Sequence, residues 1–463
     1  MNPRVKKNAY VCEIVSLTAL GFCLSFSEAY AEAVDNDSRH PLNLQPPNIT
    51  AQHPAALTPI KEPTGQLVLA QALALVLTGN PELAAFSGEI RAREAATLQA
   101  SLMPNPVFNV KALNFGNNAF KDFDGDTVMI KLSQLVELGG KRAARTKAAS
   151  LNQELADWDY ESKRIDILTQ TTQTFIGVLT AQKRLTLQQQ LLKLSTQVLD
   201  TAISQVKAGN VTPLEETKAR VAEASSRVEL MRAQRELVTA RQQLAATWGS
   251  DNPQFTRVAG DLDSIDEPPT LESLFQRVQS NPDLARWGTE MTQRQAVIAR
   301  EKSKAIPNVN LSLGLVQKVI PGDTAMMAAF SIPIQLFDRN QGNIQEAEQR
   351  LSKAVDVRRN VKVQIATALN TAYQQLDAAY ITVTTLRQEV IPGAESAFKA
   401  ASRGYRLGKF DFLDVLDAQR TLFRVKAQYL QALSDYHLSV NSTERLIGGS
   451  LNPSSIQMSE DSQ

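Results

Sequence analysis

The sequence predicts a mainly α-helical chain that carries the strands of a membrane β-barrel, and three observations lead there. The chain of 463 residues repeats itself once, at an offset near 200 residues. Each half contains two alternating apolar/polar runs of about ten residues, the length of a tilted bilayer-crossing strand. Each half then continues into a very long stretch almost free of glycine and proline. Composition agrees. Aromatic residues are 6% and charged residues 21%, with basic and acidic side chains nearly balanced at 49 and 48. The balance argues against nucleic acid as the main partner, because no basic excess exists to displace counterions. Two cysteines and three histidines leave little for a zinc, iron–sulfur or disulfide framework.

The N-terminus reads as an export signal. Arg4, Lys6 and Lys7 precede a largely apolar stretch from Val11 to Phe26, and Ala29-Tyr30-Ala31 supplies a cleavage site. Residues 1–31 are therefore expected to be removed. Removal takes three basic and two acidic residues, leaving 46 of each, and takes both Cys12 and Cys23. Lipidation at Cys23 is disfavoured, since bulky Phe22 stands where lipid-transfer signals want a small residue. Residues 32–64 contain six prolines and read as an extended leader. Later segments lack the apolar run a membrane helix needs.

The first repeat is assigned to residues 65–249 and the second to 271–449. A Pro/Asp-rich linker, 250–270, joins them, and a polar tail covers 450–463. Asn80-Pro81-Glu82-Leu83-Ala84 returns as Asn281-Pro282-Asp283-Leu284-Ala285. Met103-Pro104-Asn105 returns as Ile306-Pro307-Asn308, Gly209 and Leu214 as Gly408 and Leu413, and Trp248-Gly249 as Ile447-Gly448. The preserved order marks a duplicated domain.

In the first half, strands are expected at about 106–137. Phe108, Val110 and Ala112 alternate with Asn109 and Lys111; Val128, Ile130 and Leu132 alternate with Met129, Lys131 and Ser133. In the second they are expected at about 307–337. Val309, Leu311, Leu313 and Leu315 alternate with polar or small residues, as do Phe330, Ile332, Ile334 and Leu336. Pro333 cannot donate to a ladder and is placed near a strand end. Gly116-Asn117-Asn118 and Pro321-Gly322-Asp323 read as hairpin loops. A soluble hairpin pair is the competing reading, but little else in the chain promises a core for it. Four strands cannot close a barrel, because about eight are needed. Several chains must then contribute, and three would give twelve strands.

Long helical hairpins are expected at about 141–248 and 340–448. Residues 141–208 contain one glycine and no proline, which makes a helix about 100 Å long. Residues 343 to about 407 parallel it, with a kink expected at Pro392-Gly393. The recurrence at spacings of three and four, as in Leu185, Gln188, Leu192 and Val198, Leu199, calls for lateral coiled-coil packing. A hairpin feeding a long helical pair, twice per chain, describes a tube whose upper end lies in an outer membrane.

Three stretches carry a family resemblance. They are Leu138-Gly139-Gly140-Lys141-Arg142-Ala143-Ala144-Arg145, the run from Ile332 through Asp338-Arg339-Asn340-Gln341-Gly342, and the run from Gly404-Tyr405 through Asp417-Ala418-Gln419. With the duplicated order, they resemble the outer-membrane efflux (TolC-type) family over roughly residues 66–449. The first two are most similar to the branch serving cobalt–zinc–cadmium exporters. The resemblance implies a homotrimer with a twelve-stranded barrel and a helical periplasmic tunnel. It implies a passive exit duct for heavy-metal cations, working with a periplasmic adaptor and an inner-membrane resistance-nodulation-division pump driven by protons. A drug-efflux or type I secretion duct of the same fold is the alternative, with a periplasmic coiled-coil adaptor or scaffold behind it.

Candidate site residues cluster at two helical turns. Ala208-Gly209-Asn210-Val211 is followed by Thr212, Pro213 and Glu215, which spell a capping box. Leu407-Gly408-Lys409-Phe410 is followed by Asp411, the expected N-cap. Both turns are ordinary helix hairpins. The resemblance adds adaptor docking at Gly209, Val211, Gly408 and Phe410. Asp414 and Asp417, at i and i+3, share one helix face and would form stacked carboxylate rings in a trimer. Such rings attract cations, although an acidic first turn also suits the helix dipole. The resemblance makes them the periplasmic aperture and makes Tyr405 with Glu215 a gate lock. Phe410 stands where a basic residue would form a second lock.

Other motifs are weaker. Asp122-Phe123-Asp124-Gly125-Asp126 hints at calcium but lacks the late glutamate, and a solvated turn is the better reading. Gly139-Gly140-Lys141 lacks the rest of a P-loop. His40 and His53 lie in the leader and His437 stands alone. No catalytic constellation, cofactor site or metal site is expected.

Overall fold

The computed structural model describes residues 61–113, 127–318 and 322–451. The export signal, most of the leader, the loop with Gly116–Asn118 and Asp122–Asp126, Pro321 and most of the tail lie outside these residues. The element order is β1 (Gly65–Val68), α1 (Leu69–Gly79), α2 (Pro81–Ser101), β2 (Val107–Leu113), β3 (Thr127–Val136), α3 (Lys141–Lys207), α4 (Pro213–Ala246) and β4 (Phe255–Ala259). The second half follows as α5 (Leu271–Arg277), α6 (Pro282–Lys304), β5 (Val309–Lys318), β6 (Thr324–Ser331), α7 (Gln341–Thr385), α8 (Ile391–Arg406) and α9 (Phe412–Ile447).

The duplication has a physical staple. Asn80 caps α2, its Oδ1 accepting from Leu83 N at 2.9 Å, and its amide donates to Thr247 O at 2.7 Å. Asn281 caps α6 in the same way, accepting from Asp283 N at 2.8 Å and donating to Leu446 O at 2.8 Å. In each half one asparagine satisfies an orphan donor at a helix start and an orphan carbonyl at a helix end. Pro81 and Pro282 stand at the first turn, where a missing N–H costs nothing. Gly140 and Asn340, 200 apart, take the same left-handed conformation ahead of α3 and α7.

α3 runs 67 residues without a break, about 100 Å. It packs along α4, α2, α6 and α9. Its counterpart is divided: α7 passes through a π turn, Leu386–Val390, into α8. The π turn ends just before Pro392-Gly393, where the kink was expected. Pro392 has no N–H to give the preceding turn, and the backbone closes instead through Ile391 N to Leu386 O.

The long helices bury their stripes at two levels. The larger cluster joins Leu67, Val76, Phe175, Leu244, Trp248, Phe255, Leu274, Leu369, Leu376, Leu433 and Ile447 midway along the helices. A smaller one gathers Phe398, Tyr405, Phe412, Val415, Leu416 and Leu422 near the turns. The expectation that the chain had little core beyond the hairpins is therefore corrected. A short parallel pair, β1 with β4, closes the larger core. β4 lies inside the stretch read as a linker, with Phe255, Val258 and Leu262 all buried.

The two hairpins form one antiparallel sheet in the order β2-β3-β5-β6. The last strand is shorter than expected. β6 ends at Ser331, and Ile332 to Gln335 leave the ladder although their apolar alternation continues. Pro333 cannot donate there, and Ile334, Leu336 and Phe337 stand exposed beside it.

Candidate functional site

Two features of the described residues are placed to do work: the sheet and the helical turns at the far end. On the sheet, the register aligns Phe108, Leu132, Leu313 and Ala328 in one cross-strand row and Val110, Ile130, Leu315 and Met326 in the next. Successive side chains alternate faces, so these rows make one continuous apolar face. The opposite face carries Asn109, Lys131, Gly314 and Met327 in one row, and Val107, Ser133, Ser312 and Ala329 in another. Exposure separates the faces on the two central strands. Leu132 and Leu313 are 53% and 52% exposed, while adjacent Ser133 and Ser312 are 7% and 8%. On the polar face the Ser133 and Ser312 hydroxyls meet at 3.0 Å. An outward apolar surface of this extent needs a nonpolar surrounding.

A polar collar fixes the sheet to the helices. Arg145 donates to Glu137 at 2.6 Å, to Ala100 O at 2.8 Å and to Leu102 O at 3.0 Å, tying α2 and β3 to α3. In the second half Asn340 donates to the Glu301 carboxylate at 3.0 Å and to its carbonyl at 2.8 Å. Lys304 and Arg300 pair with the same carboxylate at 2.9 Å. Burial favours the protonated form of Glu301, but these donors outweigh it and hold the pKa at about 2. Lys141 also bonds Asn308 across the halves. These roles were not read from the sequence, although Arg145 and Asn340 both lie in the motifs quoted above.

At the far end both turns close alike. Gly209 and Gly408 adopt positive φ of 74° and 67°. Asn210 N reaches Gln205 O at 3.0 Å and Lys409 N reaches Gly404 O at 2.9 Å, the long bond of a Schellman turn. Val211 is half-buried against the lower core. Phe410 is half-exposed, yet its ring lies over Gly404, where a Cβ would overlap it.

The capping box expected at Thr212 is not formed. Pro213 does open α4, but the Thr212 side chain makes no cap bond. Glu215 turns elsewhere: its Oε2 accepts from the Tyr405 hydroxyl at 3.0 Å. An O–H donor on the neighbouring helix outcompetes the backbone N–H of the cap. Burial first, and then the Glu215 carboxylate, push the Tyr405 phenol above its ordinary range. Its ring packs on Phe412 at 5.5 Å between centroids. The structure thus brings Tyr405 and Glu215 together.

Asp411 begins α9, and its N–H donates to Asp414 Oδ2 at 3.1 Å. Asp414 therefore serves a cap as well as facing solvent. Asp417 is exposed one turn on, and neither carboxylate has an ion pair among the described residues. Inside the same bundle, Gln419 donates to Ser195 Oγ at 2.8 Å, and Ser195 meets Ser226 at 2.9 Å. That buried link between α3, α4 and α9 went unread in the sequence. His437 lies against Leu262 O at 2.9 Å in the middle core. Among the described residues no group of His, Cys, Asp and Glu could hold a metal ion. No single described helix is long and apolar enough to cross a membrane; α1 and α2 reach that measure only as a pair bent by 45°.

Comparison with known proteins adds four findings. A family described as outer membrane efflux protein matches residues 72–250 and 276–449. The chain is 36% identical over 388 residues to the cobalt-zinc-cadmium resistance protein CzcC of Cupriavidus metallidurans, spanning 84% of this chain and 91% of that protein. It is 22% identical over 316 residues to the nickel-cobalt-cadmium resistance protein NccC of Alcaligenes xylosoxydans xylosoxydans, spanning 68% and 71%. Among solved structures, the CmeC outer membrane channel of Campylobacter jejuni superposes with a TM-score of 0.69. That likeness covers 85% of this chain and 89% of CmeC at 15% identity, and it concerns the fold alone.

Proposed function

The chain belongs to the outer membrane efflux protein family, and from that premise we propose that it is the exit duct of a tripartite heavy-metal efflux system. Three copies join their sheets into a twelve-stranded barrel in the outer membrane, and their helices continue it as a tunnel into the periplasm. Family members act as channels, and this one carries its cargo without catalysis.

The two-faced sheet carries the reading. β2 and β6 are its edges, and an unpaired edge is a template for another strand. Neighbouring strands alternate in direction throughout the sheet. A second copy can therefore add β2 beside β6 in the antiparallel sense that bacterial outer-membrane barrels use. Cyclic addition ends in a closed ring with the apolar face outward. Exposed Ile334, Leu336 and Phe337, beyond β6, suit the membrane boundary. A periplasmic scaffold has no use for such a face.

At the periplasmic end, Asp414 and Asp417 of three copies would ring the aperture and draw cations toward it. The Tyr405–Glu215 bond ties α8 to α4 and holds the end closed. Gly209, Val211, Gly408 and Phe410 form the tip that an adaptor meets, and a proton-driven inner-membrane pump supplies the energy. The residues 1–31 direct export, and the halves 65–249 and 271–449 are the two repeats of each copy. Heavy-metal cargo follows the names of CzcC and NccC; a drug or protein duct would share the fold.

Removing the chain from its host tests the cargo. The expected result is higher cellular cobalt, zinc or cadmium at a given dose, restored by re-expression. Unchanged metal content with raised retention of an organic drug would overturn the metal assignment.

A further inference from the structure

The sheet sorts charge as strictly as it sorts hydropathy. Its described strands contain three lysines, Lys111, Lys131 and Lys318, and no carboxylate. All three stand on the polar face. Lys131 lies opposite Asn109 on one side and Gly314 on the other, Lys318 opposite Thr127, and Lys111 opposite Met129. Lys111 and Lys131 are diagonal neighbours, which puts their stems about 7 Å apart. None of the three makes an ion pair among the described residues. Glu137, just past β3, is held by Arg145 at 2.6 Å. Asp323 stands just before β6, and the sequence between β2 and β3 carries Lys121, Asp122, Asp124 and Asp126.

We propose that Lys111, Lys131 and Lys318 make the lumen wall of the membrane end an anion-attracting collar that disfavours free divalent cations, opposite in sign to the acidic tip. The proposal rests on the duct reading, which sets the polar face inward. Each copy adds three ammonium groups to one wall: Lys111 and Lys131 lie within about a Debye length of one another, Lys318 stands further along the wall opposite Thr127, and low-dielectric walls concentrate such a field. Small inorganic anions gather there. A cation that enters at the acidic tip must cross this zone to leave, and one returning from outside meets the same barrier. The collar lowers free-cation permeability in both directions, and the direction of net flow is set by the concentration that the pump maintains at the periplasmic end.

The test is reversal potential across a planar bilayer under a potassium chloride gradient. The background is Asp414→Asn with Asp417→Asn, so that the tip no longer sets selectivity. Replacing Lys111, Lys131 and Lys318 together by glutamine is expected to lower the anion-to-cation permeability ratio about sevenfold, the effect of a potential near one kT acting with opposite sign on anion and cation. The triple replacement by arginine is expected to keep the ratio. Lys111→Gln alone, on an edge strand, is expected to move the ratio part of the way and serves if the triple variant does not assemble. A conducting channel whose ratio ignores all of these changes would overturn the collar and leave the duct standing. A trimer that never conducts, in any variant, would overturn the duct and the collar with it.

Discussion

Replacing Tyr405 by phenylalanine removes one hydroxyl and keeps the ring. The ring packs on Phe412 at 5.5 Å, so the lower core is preserved. What is lost is a 3.0 Å bond to the Glu215 carboxylate. A hydrogen bond to a charged group contributes about 1.5–3 kcal/mol. Tyr405 is 6% exposed, but Glu215 is only half-buried and regains water when the bond is gone. The low end applies, about 1.5 kcal/mol per copy. That is about a tenfold shift toward the open end for each copy. If three copies open together, the shifts multiply to about a thousandfold. Open probability of single channels in planar bilayers reads this directly. Glu215→Gln should give a similar rise, and the double variant should add little, because both changes remove one bond. Open probability unaffected by Tyr405→Phe, or strictly additive in the double variant, would refute the lock. The pH dependence has a defined sign. The phenol pKa is raised in the folded chain, so the bond is fully present below its ordinary value of about 10. It is lost as pH rises beyond that. Open probability should climb under alkaline conditions in the unaltered protein and climb less in Tyr405→Phe.

Three more outcomes are expected. Asp414→Asn with Asp417→Asn should raise single-channel conductance and weaken block by multivalent cations; a change in neither would remove these residues from the aperture. Glu301→Gln should flatten acid unfolding. The Glu301 pKa is depressed from 4.5 to about 2, so its contribution is present above pH 4.5 and lost as pH falls toward 2. Discounted for half-exposed Lys304, it is worth about 2 kcal/mol, read as a shift of the acid midpoint. Gly404→Ala should drive Phe410 off its seat and weaken adaptor capture while leaving the barrel intact, measured as adaptor affinity beside melting temperature.

The sequence disclosed the parts with a local period or a local rule. The strand faces follow from alternation at Phe108–Ala112 and Val309–Leu315, and α3 from a long stretch with only Gly177 to weaken it. Asn80 and Asn281 were visible as a repeat, but not their reach to Thr247 and Leu446, because those carbonyls lie some 165 residues away along the chain. The β1–β4 pair escaped for the same reason: strands of four and five residues pair in parallel across the first half and leave no local signature. At β6 the alternation of Ile332, Ile334 and Leu336 continued where hydrogen bonding could not, and Pro333 decided the end. Thr212 and Glu215 satisfied a capping rule, yet Tyr405 offered Glu215 a better donor. Whether the tip residues act as lock, aperture and dock rests on the family relation rather than on any local pattern.

The mass of the detergent-extracted protein, measured alongside its planar-bilayer conductance, tests the central claim most directly. The account predicts a trimer that opens in discrete, cation-sensitive steps. A water-soluble monomer that leaves the bilayer silent would contradict it.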